Sequence, residues 1–187
     1  MASALVFCAT SLCVTSLCIM SSSAWAADRE GCKDIPGIKR YVGSQIFACS
    51  TRDFIDYHLP VGRDARWNDQ IRRYVGQVEE VDGGYSRIQY ETAVGTNSIE
   101  VFDHYKSDLT SSGFKILYEA KHGDAEKNRQ LWSQEFGSGG DQRYAAAVKE
   151  VDGVKTYVVL YVINISGEKV RVALDQIVAG KNEREGR

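Results

Sequence analysis

Residues Val154 to Ile163 constrain the fold more than any other stretch. Val154, Thr156, Val158, Leu160 and Val162 alternate there with Lys155, Tyr157, Val159, Tyr161 and Ile163. Both faces of the run are largely apolar, which marks a central strand covered on at least one side. Tyr144 to Val151 precedes it across Asp152-Gly153, and Lys169 to Val178 follows across Gly167. Such short Gly-bearing links join antiparallel neighbours.

Upstream the same period-two signal recurs in shorter pieces. Ile46 to Cys49 and Phe54 to Leu59 read as extended runs, the second closed by Pro60 and Gly62. Ile71 to Val81 alternates loosely, and Asp82-Gly83-Gly84 reads as a hairpin turn into Tyr85 to Glu91. On that last run Ser86, Ile88 and Tyr90 share one face, while Tyr85, Arg87 and Gln89 share the other. Then the period changes. Ile99, Phe102, Tyr105 and Leu109 recur at three- and four-residue steps behind a cap at Thr96 or Asn97, and Gly113 is placed to end the helix. Phe114 to Tyr118 resumes as a strand. Residues 119 to 142 form a polar, Gly-rich excursion broken by Leu131, Trp132 and Phe136. The expected class is α+β: one domain over residues 45–180, a mostly antiparallel sheet with one main helix packed on it, and a frayed tail at 181–187.

The amino terminus sets the compartment. Residues 1–27 carry no charged side chain, and Ala24-Trp25-Ala26 offers small residues at the positions a signal peptidase reads, before Asp28, Arg29 and Glu30. This is the pattern of a signal peptide covering 1–26, although its start lacks Lys or Arg. An uncleaved anchor is the alternative, weakened by the Ser and Thr content of the run. No cysteine in the apolar run follows the small residue that lipidation needs. Exported, the chain would be a periplasmic protein with no stable membrane span after cleavage. Its retained cysteines, Cys32 and Cys49, then read as one disulfide tying the irregular lead-in at 27–44 to the first strand. The alternative is two thiols, each merely buried or reactive.

The formal net charge of −2 argues against nucleic acid as a partner, since phosphate-backbone binding needs a basic face. His58, His104 and His122 are too scattered for a zinc site, and no cofactor is implied. There is no G-x-S-x-G elbow, no phosphate-binding P-loop and no H-E-x-x-H. Glu79 and Glu80 are strand neighbours that point to opposite faces. One basic and aromatic cluster stands out: Arg63, Arg66, Arg72 and Arg73 with Trp67 and Tyr74. It suits an anionic or sugar-like ligand, through stacking and charge-assisted hydrogen bonds. A structural Trp67 among solvated arginines is the bland alternative. Trp67, Arg72, Arg73 and, in the long excursion, Trp132 are the candidate surface for a ligand or partner.

Taken in order, "GCKDIPGIKRYVGSQI" (31–46), "VEEVDGGYSRIQY" (78–90), "SIEVFDHYKSDLTSSGFKILYEA" (98–120) and "YVVLYVINISGEKVRVALDQI" (157–177) resemble a proteobacterial envelope domain that often precedes an OmpA-type peptidoglycan-binding domain. The resemblance implies a periplasmic place, no catalytic residues, and an envelope protein or glycan as partner. No OmpA-type domain follows in these 187 residues, so peptidoglycan anchoring is not carried over. Cys32 also departs from the pattern. The expected function is a non-enzymatic envelope module, an adaptor or binding domain. The alternatives are a small periplasmic hydrolase or ligand-transforming enzyme built on Arg72, Arg73, Glu79 and His104, or a secreted effector or inhibitor.

Overall fold

The structure, a computed structural model, describes residues 27–127, 140–165 and 168–180. Six strands form one antiparallel sheet: β1 (Ser44–Pro60), β4 (Val78–Thr92), β5 (Lys115–Lys121), β6 (Gln142–Val151), β7 (Val154–Ile165) and β8 (Lys169–Ala179). Their spatial order is β1-β4-β8-β7-β6-β5. β2 (Arg66–Asn68) and β3 (Arg73–Val75) make a separate small hairpin. Helices are confined to α1 (Ser98–Ser111) and the single turn α2 (Gly123–Glu126). The three C-terminal strands pair as expected, with Asp152 and Gly153 both at positive φ in the tight β6–β7 turn. β7, apolar on both faces, lies inside the sheet between β8 and β6.

The fold class needs correction. Strands hold 56% of the described residues and helices 13%, so this is a β-rich fold rather than an α+β fold with one main helix. The reason lies in the first half of the chain. The separate short runs expected there merge into a 17-residue β1 and a 15-residue β4, paired along nearly their whole length. Asp82-Gly83-Gly84 is not a turn. It continues through β4, where the carbonyl of Val178 in β8 would sit 2.0 Å from a Cβ on Gly83. Glycine serves there to let two backbones meet. Opposite it, β1 shifts register between Arg52 and Ile55, where one extra residue stands in β1 as a bulge.

The sheet buries two clusters, one on each face. On the first, Val101, Phe102, Tyr105 and Leu109 of α1 pack with Ile88, Tyr90, Val158, Leu160, Val172 and Leu174. Asn97 caps α1 by accepting from the Ile99 amide at 2.8 Å. At the other end Gly113, with φ +88°, donates to Thr110 O while the Phe114 amide donates to Leu109 O, a Schellman closure. Ile99, expected on the apolar face, is exposed, and Val101 takes its place. The second face gathers Tyr57, Leu59, Tyr85, Tyr144, Tyr157, Tyr161 and Ile177, with α2 against β5 and β6.

The lead-in is held in four ways. Ile35 and Ile38 are buried in the first cluster. Arg40 binds Asp28 at 2.8 Å and Asp34 at 2.9 Å. The Lys39 amide donates to Asp108 of α1. Cys32 and Cys49 form a disulfide, with Cα atoms 5.8 Å apart.

Candidate functional site

The β2–β3 hairpin leans on β1, and between them lies a half-open cleft of about 490 Å³. This volume is in the range of small-ligand sites, roughly 300–1,000 Å³. The hairpin wall carries Trp67, Arg72, Arg73 and Tyr74, and the sheet wall carries Ser50, Arg52, Ile55, Asp56, His58 and Arg87, with Tyr57 and Tyr85.

Local chemistry shapes the hairpin wall. Asn68 Oδ1 accepts from the amides of Gln70 and Ile71, at 3.0 and 3.3 Å, and so closes the loop between Asn68 and its partner Arg73. The loop ends with Arg72 at φ +51°, a left-handed position that costs a non-glycine residue of the order of 1 kcal/mol. Trp67 lies opposite Tyr74, its ring 5.3 Å away at 71°, and its Nε1 donates to Asp69 at 3.0 Å. Tyr74 is buried, and its hydroxyl donates to the Lys127 carbonyl at 3.1 Å. The indole is therefore fixed in place yet half-exposed.

The cleft floor is a polar cluster that the sequence reading missed. Asp175 of β8 is fully buried. Arg87 donates to both its oxygens, at 2.7 and 2.8 Å, and Tyr57 and Tyr85 add hydroxyl donors at 2.7 and 3.3 Å. Burial alone would lower the pKa of the Arg87 guanidinium. The Asp175 charge and hydrogen bonds outweigh it and hold the group above its ordinary value. Burial, reinforced by the Asp175 charge, pushes the Tyr57 phenol well up, so it stays a neutral donor. A signal for this cluster was present. Alternation puts Asp175 on the face of Ala173 and Ile177, and a carboxylate aimed into a core requires a cation.

Arg52, Arg72 and Arg73 contrast with Arg87. All three are exposed, and among the described residues none has a carboxylate within ion-pair distance. The lining carboxylate is Asp56, which lies 3.3 Å from His58 Nε2. A second hollow, of about 810 Å³, holds Arg63, Lys127 and Arg143 among its lining residues. Three of its cations are ion-paired, Arg63 and Lys127 sharing Asp124 and Arg143 with Asp141, while Lys121 also lines it. The first cleft differs in gathering three guanidiniums with no carboxylate within ion-pair distance among the described residues, beside an indole.

Of the expected surface residues, Trp67, Arg72 and Arg73 come together, Arg52 and Arg87 join them, and Trp132 falls outside the described residues. The quartet proposed for an enzyme does not converge. Glu79 accepts a hydrogen bond from the Tyr157 hydroxyl, and His104 on α1 contacts the Lys39 carbonyl and the Tyr41 ring, both away from the cleft. Among the described residues no three His, Cys, Asp or Glu side chains are grouped to hold a metal ion. No helix of the described residues is long and apolar enough to cross a membrane. Compared with protein-family models and with curated proteins, the chain matches none.

Proposed function

We propose that the protein is an exported binding module of the cell envelope that holds an anionic ligand in the Arg52, Arg72 and Arg73 cleft without transforming it. One observation carries this reading: three exposed guanidiniums without carboxylate partners among the described residues line one cleft with a fixed indole. Exposed like charges repel one another and favour an anion between them. The disulfide supports an oxidising compartment, and with the charge-free stretch at 1–27 it favours a cleaved leader and a periplasmic place. The binding reading is preferred over a hydrolase because, although Ser50 and His58 both line the cleft and His58 lies 3.3 Å from Asp56, no hydrogen bond joins the Ser50 hydroxyl to His58 among the described residues.

The test is photo-crosslinking in intact cells from a probe installed at Ser50, on the cleft wall. The native cleft should yield a discrete adduct that the Arg72→Ala/Arg73→Ala double variant loses while keeping its circular dichroism and melting temperature. An unchanged adduct in the double variant, or none in either protein, would overturn the site. Fractionation decides the compartment: the periplasmic pool should hold a chain whose mass starts at Ala27. An adduct-forming chain found in the medium would instead support a secreted effector.

A further inference from the structure

We propose that the ligand is an acidic carbohydrate, a sugar ring laid against Trp67 with its carboxylate or phosphate groups held by Arg52, Arg72 and Arg73. This rests on the cleft being the binding site, and it names the ligand's chemistry. The guanidinium fork matches the two oxygens of a carboxylate or phosphate, which a halide or a lone hydroxyl does not. Three such forks, none with a carboxylate within ion-pair distance among the described residues, set a requirement for anionic oxygen.

The other lining groups decide against a bare anion. Asp56, exposed on the same wall, would repel phosphate but accepts hydrogen bonds from ring hydroxyls, and the Ser50 hydroxyl can donate or accept. Inorganic phosphate would leave most of about 490 Å³ unfilled, whereas one or two sugar rings suit it. The indole supplies the remaining selection. Held by Asp69 and Tyr74, it is a rigid apolar surface whose ordering cost is already met in the free protein. The C–H face of a pyranose packs on such a ring, and its hydroxyls then point to the polar rim. The floor beneath does not compete for the anion, because Arg87 is committed to Asp175. The Arg87–Asp175 pair carries no net charge, so the attraction for an anion comes from Arg52, Arg72 and Arg73.

The experiment is isothermal titration calorimetry on the oxidised exported chain, repeated by fluorescence in a Trp132→Phe variant so that Trp67 reports. The probes are a hexuronic-acid disaccharide and hexose 1-phosphate, set against a neutral disaccharide, inorganic phosphate and phosphatidylglycerol vesicles. One charged sugar should bind saturably, about tenfold or more tighter than the neutral disaccharide or phosphate, with a shift in Trp67 emission. Arg72→Ala/Arg73→Ala should remove that preference, and Trp67→Ala should weaken the charged sugar more than inorganic phosphate. Equal binding of the neutral sugar, equal binding of phosphate, binding of vesicles alone, or no binding of either charged sugar would each overturn the proposal. If that happens while the arginine-dependent adduct from Ser50 persists in cells, the site stands and the ligand class falls. If the adduct is also lost, both fall.

Discussion

Replacing Asp175 with asparagine tests whether the cleft floor is an electrostatic structure or merely a filled space. The substitution keeps volume and removes charge. Four donors converge on the carboxylate, two from Arg87 and one each from Tyr57 and Tyr85. An asparagine offers one acceptor oxygen, and its amide nitrogen cannot accept from the guanidinium. At least two donors therefore lose their acceptor, in a place where Arg87 retains only 14% of its side-chain exposure. Removing one partner of a buried ion pair costs about 3–5 kcal/mol, more than the pair's net worth, because the surviving charge stays desolvated. For a domain of this size that is a fall in melting temperature of roughly 6–20 °C. Urea denaturation of oxidised wild type, Asp175→Asn, Arg87→Met and the double variant gives the coupling. The double variant should be less destabilised than Asp175→Asn alone, since it leaves no unpaired guanidinium. A single-variant loss below about 1 kcal/mol, or strictly additive effects, would refute the reasoning, for then water reaches Arg87 and the floor is not dry.

Further tests bear on the scaffold and its pH range. Replacing Cys32 and Cys49 with serine should cost about 3 kcal/mol on the chain-entropy account, since the bond closes a 17-residue separation, and reduced wild type should match the variant in urea. A loss below about 1 kcal/mol would show that Ile35, Ile38 and Arg40 suffice to hold the lead-in. Gly83→Ala should destabilise by about 2 kcal/mol or more, because its Cβ meets the Val178 carbonyl at 2.0 Å. Gly84→Ala, whose nearest neighbour is Asp53 O at 3.6 Å, should be tolerated, and equal costs at both positions would contradict the close approach of β4 and β8. Arg72→Gly should leave stability level, or raise it by less than about 1 kcal/mol, as φ +51° no longer strains a side chain, while abolishing ligand capture. Burial works against ionisation of Glu91, yet its bonds to Lys169 and Arg171 win and lower its pKa; Arg40 and the Ile46 amide likewise lower that of Asp28. Carboxyls depressed in the fold contribute stability above their unfolded values of 4.5 and 3.8 and lose it as pH falls through the folded values. The melting temperature should therefore drop below about pH 4.5, and Glu91→Gln should flatten that drop. A drop of equal size in both proteins would remove Glu91 from the account.

Local pattern determined a good deal of this protein. Alternation with apolar residues on both faces from Val154 to Ile163 dictates a central strand wherever it lies, because nothing but burial satisfies it. The Asn97 cap, the i, i+3/i+4 apolar spacing and Gly113 delimit α1 to within a residue or two, since those signals act over one helical turn. Two cysteines in a chain with an export-like start were enough to expect their bond. The pairing of distant segments was decided elsewhere. Asp82-Gly83-Gly84 has the composition of a turn, and only the carbonyl of Val178, some 95 positions later, shows why glycine stands inside a strand there. The two β segments it seemed to separate are continuous, so the balance of sheet to helix, and with it the fold class, could not be read from the local period. The site divides in the same way. The composition of residues 66 to 74 marked Trp67, Arg72 and Arg73 as a cluster, because they lie on one short hairpin. Arg52 and the Arg87 to Asp175 floor reach them from strands that meet only in the folded sheet, with Asp175 bound to partners 88 and 118 positions away. A charge buried at that range has no local signature beyond its phase in the strand. Its energy comes from desolvation, which exists only once the sheet has closed over it.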